Sequence, residues 1–308
     1  MTLTTPPRPL DVEALFPGLA AHRATATRLH PRAGSPTARD SHVGGPLLWP
    51  AGEPWPVCDE PHRHSGPLLA VAQLYARDVP DLAAGPDGCD LLQVLWCPFD
   101  LHGPTGHGMH VQLRWRRSAE VREVLAPQPA PAHVGFDGYL PTPCVLHPER
   151  VTEYPYIELL TGELGERVEE WEDAQEEAAY EAEDEEEAAY EAQDEEEDGY
   201  EAGGGARNAL PSYQSDLSVA PGWKAGGHAA WNVTGPGSTD CPGCGAGMRL
   251  LLTVDSYEWR ADSESWRPPA TSGADGNRPT GVAVGNFGKL NVFACPHDPA
   301  HPHRFSVQ

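Results

Sequence analysis

Short apolar runs bounded by Gly, Pro and Asp dominate the hydrophobic pattern of this chain. Leu68–Tyr75 and Leu91–Trp96 are almost wholly apolar, whereas Val111–Arg116 alternates apolar and polar residues. Runs of this length predict buried strands, and the alternation predicts a strand with one exposed face. Similar runs at Arg249–Ser256 and Lys289–Ala294 predict strands near the carboxyl end.

Helical patterning is confined to a few places. Leu10, Val12, Leu15 and Leu19 have helical spacing, which predicts a short N-terminal helix within residues 10–29. Glu149–Glu153 has the character of a helix start. The long crossover helices of a parallel α/β protein are missing, so we expect a β-rich α+β fold.

One arrangement of glycine, tryptophan and cysteine occurs twice. Residues 44–49 read GGPLLW and residues 226–231 read GGHAAW, so a Gly-Gly pair precedes a Trp at the same spacing. Cys58 follows the first copy and Cys241 follows the second. This repetition predicts an internal duplication.

Each copy also ends in the same way. An apolar run closes on C-P-x-D at Asp100 and again at Asp298. We therefore expect two pseudo-symmetric duplicated lobes, residues 1–160 and 209–308, joined by an acidic linker over residues 161–208.

The linker contains most of the excess negative charge. Residues 169–201 contain 19 Asp or Glu and no Lys or Arg, so the rest of the chain has a formal net charge of only −6 out of −25. Repulsion between carboxylates favours an extended, solvated segment, or a transient helix in its Ala-rich parts. The charge argues against binding to nucleic acid or an anionic membrane and favours a basic protein partner.

The cysteine content indicates metal ligands or free thiols. The chain has seven cysteines, an odd number, and residues 1–30 lack the apolar run of a signal peptide. No stretch approaches ~18 uninterrupted apolar residues, so no transmembrane helix is expected. We expect a cytoplasmic protein without a disulfide framework.

Cys241-Pro242-Gly243-Cys244-Gly245 has the form of a zinc knuckle. Two thiolates separated by two residues can bind one tetrahedral ion, and the glycines permit a tight turn. The alternative is a redox C-x-x-C. A thioredoxin-like site opens a helix after a strand, whereas this motif lies in a Gly/Pro loop before a strand, so we expect structural zinc.

Two further ligands are needed for this site. Cys295 is the expected third ligand, and the fourth is expected from His297, His301 or His303. His301 is favoured because its spacing from Cys295 leaves room for a turn, while His297 follows too closely.

The first lobe contains a weaker version of this pattern. Cys58, Cys97 and His102, with His62 or His64, would form the equivalent zinc site, in which we favour His62. The C-x-x-C is absent there, so the equally supported alternative is a pair of buried free cysteines, which behave as small hydrophobic residues.

A catalytic metal is the alternative function. His107 and His110 lie close to His102 in sequence, and a metal-dependent hydrolase using the His102–His110 region would need an open coordination position. No H-E-x-x-H motif, P-loop or G-x-S-x-G motif is present. The chain is therefore more consistent with a non-enzyme.

These residues also suggest a relationship to known proteins. The chain resembles the YwqG-like family of uncharacterised bacterial proteins on Gly44-Gly45, Trp49-Pro50, Trp55-Pro56, Leu68 and Gln73-Leu74. More distantly, it is similar to the programmed-cell-death-protein family on Cys241–Gly245, Met248, Leu250, Leu251 and Val292–Cys295. The resemblance implies a two-lobed, β-rich fold, no established enzymatic activity and, from the second family, a ribosomal-protein chaperone role.

These observations together predict a zinc-stabilised cytosolic binding or adaptor protein, chaperone-like or immunity-like. The groove between the lobes would hold a polypeptide, and the acidic tract would attract a basic one.

Overall fold

The computed structural model describes residues 3–58, 66–83, 85–100, 102, 108–194, 210–271 and 274–308. The side chains of residues 182–194, 274 and 275 are outside this description. The elements are, in chain order, α1 (Val12–Leu15), β1 (Ala24–Arg28), β2 (Arg32–Ala33), β3 (His42–Val43), β4 (Leu69–Tyr75), β5 (Leu91–Trp96), β6 (Val111–Arg116), β7 (Cys144–Val145), β8 (Glu149–Glu153), α2 (Gly162–Asp194), β9 (Lys224–Gly226), β10 (Arg249–Asp255), β11 (Lys289–Ala294) and β12 (Arg304–Val307).

The strands form two six-stranded antiparallel sheets. Sheet I has the order β2-β7-β3-β4-β5-β6, and sheet II has the order β8-β1-β9-β10-β11-β12. With few helices beside them, the sheets confirm the expected β-rich α+β fold.

The two sheets share a local irregularity. The β4–β5 pairing shifts register between Ala70 and Ala72, and the β10–β11 pairing shifts between Leu250 and Leu252. Both shifts lie near the start of the first strand of the hairpin. A bulge bends its strand locally, so the two hairpins are bent at corresponding points.

Sheet II takes strands from both sides of α2. Strand β1 pairs with β8 through Ala24↔Glu153 to Arg28↔Glu149, and with β9 through Ala26↔Gly226 to Arg28↔Lys224. The strands preceding α2 thus complete the sheet that follows it. The lobe boundaries at residues 160 and 209 stay a prediction.

The main hydrophobic core contains side chains of both sheets. Val71 and Val94 of sheet I belong to the same buried cluster as Leu252 and Val292 of sheet II, and all four are fully buried. Removing a large apolar side chain from water contributes about 1.5–3 kcal/mol, so this core is the main source of stability.

The N-terminal helix is shorter than the predicted span. Asp11 caps α1 by accepting hydrogen bonds from the backbone N–H groups of Glu13 and Ala14. A 3-10 turn follows over Pro17–His22, and the chain then enters β1. The alternating Thr25 and Thr27 favour this strand because β-branched residues pack well on a pleated surface.

Helix α2 forms the start of the predicted linker, where the charge predicts an extended segment or a transient helix in the Ala-rich parts. It is 33 residues long, about 50 Å at the usual rise. Its first turns pack through Val168 and Trp171 against a cluster that includes Phe16 and Tyr213, and Ala and Glu are strong helix formers. Packing at one end and propensity along the helix offset the carboxylate repulsion. The remainder of the predicted linker, residues 195–208, lies outside the described residues.

In the described ranges, no helix combines the length and the apolar composition that a membrane span requires.

Candidate metal centres

The knuckle that precedes β10 is closed by its own backbone. The N–H of Gly245 donates to the carbonyl of Cys241 at 2.8 Å, and the N–H of Cys241 donates to the carbonyl of Ala246 at 2.8 Å. Gly245 has φ +74, in the left-handed region where a Cβ is unfavourable. These contacts form a tight loop that turns both cysteines of the motif toward one point.

Gly243 provides space for the histidine of this site. Its N–H lies 3.4 Å from Sγ of Cys241, in hydrogen-bonding geometry. A Cβ at Gly243 would lie 2.9 Å from ring atoms of His301, so any larger residue would displace the imidazole. The close approach of His301 therefore requires glycine at position 243, the second residue between the cysteines.

The structure brings four potential ligands together at this point: Cys241, Cys244, Cys295 and His301. Their ligand atoms all lie within 4.8 Å of one another. Sγ of Cys244 is 3.6 Å from Sγ of Cys295, and Sγ of Cys241 is 3.4 Å from Nδ1 of His301. Tetrahedral zinc with Zn–S bonds of about 2.3 Å separates its sulfurs by about 3.8 Å, so the spacing fits zinc. We call this set the C-terminal site.

His301 is distinguished from its two neighbours by position. Among the described residues, the cluster includes His301 and neither His297 nor His303. The carboxylate of Asp298 lies 3.7 Å from Nε2 of His301, on the ring nitrogen that does not face the sulfurs. A carboxylate on the second nitrogen is the usual support of a metal-binding histidine. Asp298 was not among the predicted site residues, although it is the final residue of the C-P-x-D motif.

The environment of Cys295 favours the thiolate. Burial raises the pKa of its thiol, but hydrogen bonds from the backbone N–H groups of Asp298 and His297 and from His301 and Cys244 lower the pKa to about 6. At Cys244 a backbone hydrogen bond from Ala246 lowers the pKa of the thiol. Burial and the neighbouring thiols of Cys295 and Cys241 outweigh it, so the pKa lies above its ordinary value. Since a thiolate is the form that binds metal, Cys295 is prepared to act as a ligand.

A second group, Cys58, Cys97 and His102, lies beside the end of β5, and we call it the N-terminal site. Their ligand atoms also lie within 4.8 Å of one another, and Sγ of Cys58 is 3.2 Å from Nε2 of His102. All three residues are buried. Cys97 directly follows β5 just as Cys295 directly follows β11.

The predicted fourth ligand of this site stays a prediction. His62, and its alternative His64, lie outside the described residues. The described residues on either side of them meet, since the N–H of Cys58 donates to the carbonyl of Gly66 at 3.1 Å.

The histidines considered for catalysis are only partly described. The ring of His110 lies beside that of His102, tilted by 36° with centroids 5.4 Å apart, and its Nε2 lies 3.0 Å from the side-chain amide of Gln112. Its nitrogens are not part of the ligand cluster. His107 lies outside the described residues.

Each site is continuous with a hydrophobic cluster that contains a tryptophan. Cys241 and Cys295 pack with Trp231 and Phe293, and Cys58 and Cys97 pack with Trp49. The tryptophans of the two Gly-Gly-Trp copies thus belong to the surroundings of the two sites.

The chain matches no family model, and comparison with curated proteins gives no match either. The resemblance to the YwqG-like family therefore stays a prediction, and the geometry is the basis for the function.

Proposed function

We propose that this chain is a zinc-stabilised, non-catalytic binding or adaptor protein that engages a basic protein partner. The observation that carries the proposal is the convergence of Cys241, Cys244, Cys295 and His301 within 4.8 Å. Three thiols and one imidazole are a ligand set of structural zinc.

A structural rather than a catalytic role is supported by coordination number. Four protein ligands complete a tetrahedral zinc site, whereas catalytic zinc keeps one position for water. Cys241 and Cys295 are also part of a buried apolar cluster. A metal at this point would hold the knuckle against β11.

The N-terminal site is proposed to bind a second zinc. Cys58, Cys97 and His102 supply three ligands, and His62 is the proposed fourth. If the fourth position were instead open to water, the hydrolase alternative would apply. Burial of all three described ligands favours the closed site.

The proposed partner is a basic protein because of the charge on α2. After Arg167 no Lys or Arg occurs before Arg207, while residues 169–201 contain 19 acidic residues. Such a field attracts a basic surface and speeds its association. A chaperone-like or immunity-like role in the cytoplasm would use this attraction.

Metal analysis of the purified full chain tests the proposal. Wild-type protein is expected to contain two zinc ions, and Cys241→Ser and Cys58→Ser are each expected to lose one. Cys89→Ser is the matched control, since Cys89 belongs to neither ligand group. Metal-free wild-type protein would contradict the proposal.

A further inference from the structure

Sheet II contains a groove where its central strand stops early. Strand β9 pairs with β1 only over Ala26–Arg28 and with β10 only at Leu252 and Thr253. Strands β1 and β10 extend beyond it, and a cavity of about 560 Å³ lies between their ends. Its lining includes apolar side chains from several elements: Leu159, Ala229, Trp231, Met248, Leu250 and Phe293.

The floor of the groove contains an indole with an unused donor. Trp231 stacks on Phe293 with ring centroids 5.6 Å apart and an interplanar angle of 12°. Its Nε1 is buried and, within the described part of the chain, has no hydrogen-bond partner. A buried indole N–H normally finds an acceptor, so the surroundings of Trp231 are less complete than those of Trp49.

Trp49, which occupies the position of Trp231 in the first Gly-Gly-Trp copy, has its backbone and its indole N–H hydrogen-bonded within the chain. Nε1 of Trp49 donates to the carbonyl of Glu53 at 3.1 Å. The carbonyl of Trp49 accepts from the N–H of Leu125 at 2.8 Å, and the N–H of Ala51 donates to the carbonyl of Glu123 at 3.0 Å. An extended piece of the chain around Glu123–Leu125 therefore lies along the backbone of Trp49.

The two tryptophan segments correspond in their anchoring. The carbonyl of Leu48 accepts from the side-chain amide of Gln93 at 3.1 Å, and the carbonyl of Ala230 accepts from that of Asn291 at 2.9 Å. Trp49 and Trp231 each follow the anchored residue.

Trp231 has no described segment beside it that corresponds to Glu123–Leu125 beside Trp49. Val233, at the place of Ala51, donates its N–H to the side chain of Gln308 at 3.1 Å. Among the residues that the structure describes, no segment pairs with Trp231 as Leu125 pairs with Trp49.

We propose that this groove binds an extended segment of a partner protein, added beside Trp231 as residues around Leu125 lie beside Trp49. The segment pairs with the backbone beside Trp231 and supplies apolar side chains to the groove. Edge pairing of this kind gives affinity through the main chain and specificity through alternate side chains.

The rim of the groove indicates the charge of that segment. Leu159 lines the groove with 45% of its surface exposed, and Glu158 precedes it. Helix α2, with its acidic side chains, begins at Gly162. Of the residues that line the groove, Asp81 is acidic and Arg249 is basic, so with Glu158 and α2 nearby in sequence the acidic groups predominate and favour Lys or Arg flanking an apolar stretch. This partner deepens the proposed function and rests on it.

Selection from a displayed library of random 12-residue peptides against the full chain provides the probe. Enriched peptides are expected to carry alternating apolar residues flanked by Lys or Arg, with affinity measured by calorimetry. Gly237→Gln places a side chain in the groove, where a Cβ has only Trp231 nearby at 4.0 Å. Gly52→Gln, at an open position in sheet I, is the matched control.

The expected result is that Gly237→Gln weakens binding by about tenfold or more, the loss of roughly 1.4 kcal/mol or more of binding energy, while Gly52→Gln has no effect. Leu159→Ser is expected to weaken binding as well, with Leu140→Ser as its exposed control. The inference is overturned if no peptide is enriched, or if enriched peptides bind Gly237→Gln as tightly as wild type. It is also overturned if Gly237→Gln only abolishes self-association, which would assign the groove to a second copy.

Metal content is measured on the same samples. Groove-dependent peptide binding by protein without zinc would leave this inference standing and remove the zinc proposal. Protein that contains zinc but shows no groove-dependent binding would overturn this inference and leave the zinc proposal standing.

Discussion

Asp298 and His301 form a supporting pair behind the C-terminal site. Oδ2 of Asp298 lies 3.7 Å from Nε2 of His301, while Nδ1 of the same ring lies 3.4 Å from Sγ of Cys241. The N–H of His301 also donates to the carbonyl of Asp298 at 3.1 Å. The carboxylate thus lies behind the ring nitrogen that faces away from Cys241, while the other nitrogen faces the thiols.

Asp298→Asn is therefore expected to weaken zinc binding by about 10- to 100-fold, the usual effect of losing a carboxylate behind a metal-binding histidine. The turn itself should survive, because an amide oxygen can still accept from the N–H of Ala300, now bound at 2.8 Å. Competition with a zinc chelator measures the change, and exposed Asp262→Asn is the control. An unchanged affinity would mean that Asp298 does not support the ligand.

Removal of zinc is expected to destabilise the fold around β10 and β11. Cys241 and Cys295 belong to the cluster of Trp231 and Phe293, so loss of the metal frees one side of that cluster. At a free zinc concentration 1,000-fold above the dissociation constant, the bound metal raises the free energy of unfolding by about 4 kcal/mol. Thermal unfolding with and without chelator measures this. Equal melting temperatures would argue against a structural metal.

The contribution of Glu258 to stability is expected to fall between pH 4.5 and pH 7. Burial raises the pKa of this carboxyl to about 7, against the opposing effect of Arg28. The folded state thus retains a proton that the unfolded state has released, and folding loses roughly 3 kcal/mol across that window.

Glu258→Gln should remove this loss, so that the variant exceeds wild type in stability above pH 7 and matches it near pH 4.5. Denaturant unfolding at several pH values measures the difference. Glu264→Gln, at an exposed position, is the control. A stability difference between Glu258→Gln and wild type that stays constant from pH 4.5 to pH 7 would contradict the prediction.

A buried ion pair ties β8 to β9. Nζ of Lys224 donates to both carboxylate oxygens of Glu153, at 2.6 and 2.7 Å, and both side chains are buried. Burial lowers the pKa of Lys224, and Glu153 opposes this shift. Glu153→Gln leaves the ammonium without its counter-charge and is expected to cost about 3–5 kcal/mol. Chemical denaturation beside surface Glu163→Gln measures the cost, and equal effects of the two changes would contradict the prediction.

Local patterns predicted the hairpin strands well. Leu91–Trp96, Val111–Arg116 and Lys289–Ala294 were predicted at the bounds that β5, β6 and β11 have. These runs are short, strongly apolar or alternating, and bounded by turn residues, so their signal is local.

Elements that depend on distant partners were predicted wrongly. Glu149–Glu153 was taken for a helix start, yet it forms β8 because its residues pair with β1, more than 100 positions earlier. For the α2 segment the charge predicts an extended chain, or only a transient helix in its Ala-rich parts, because its packing against Phe16 and Tyr213 has no local signal.

For the candidate sites, too, local motifs were predictable from the sequence and contacts between distant residues were not. The spacing of Cys241 and Cys244, with Cys295 after a strand, indicated ligands that the structure does bring together. The buried pair of Lys224 and Glu153 was missed because the two residues are 71 positions apart and neither lies in a motif.

X-ray absorption at the zinc edge tests the central claim most directly. In a Cys58→Ser/Cys97→Ser variant, only the C-terminal site remains to bind metal. The account predicts one zinc with three sulfurs at about 2.3 Å and one nitrogen at about 2.0–2.1 Å, with no oxygen ligand. A spectrum with fewer sulfurs, a coordinated water, or no zinc at all would contradict it.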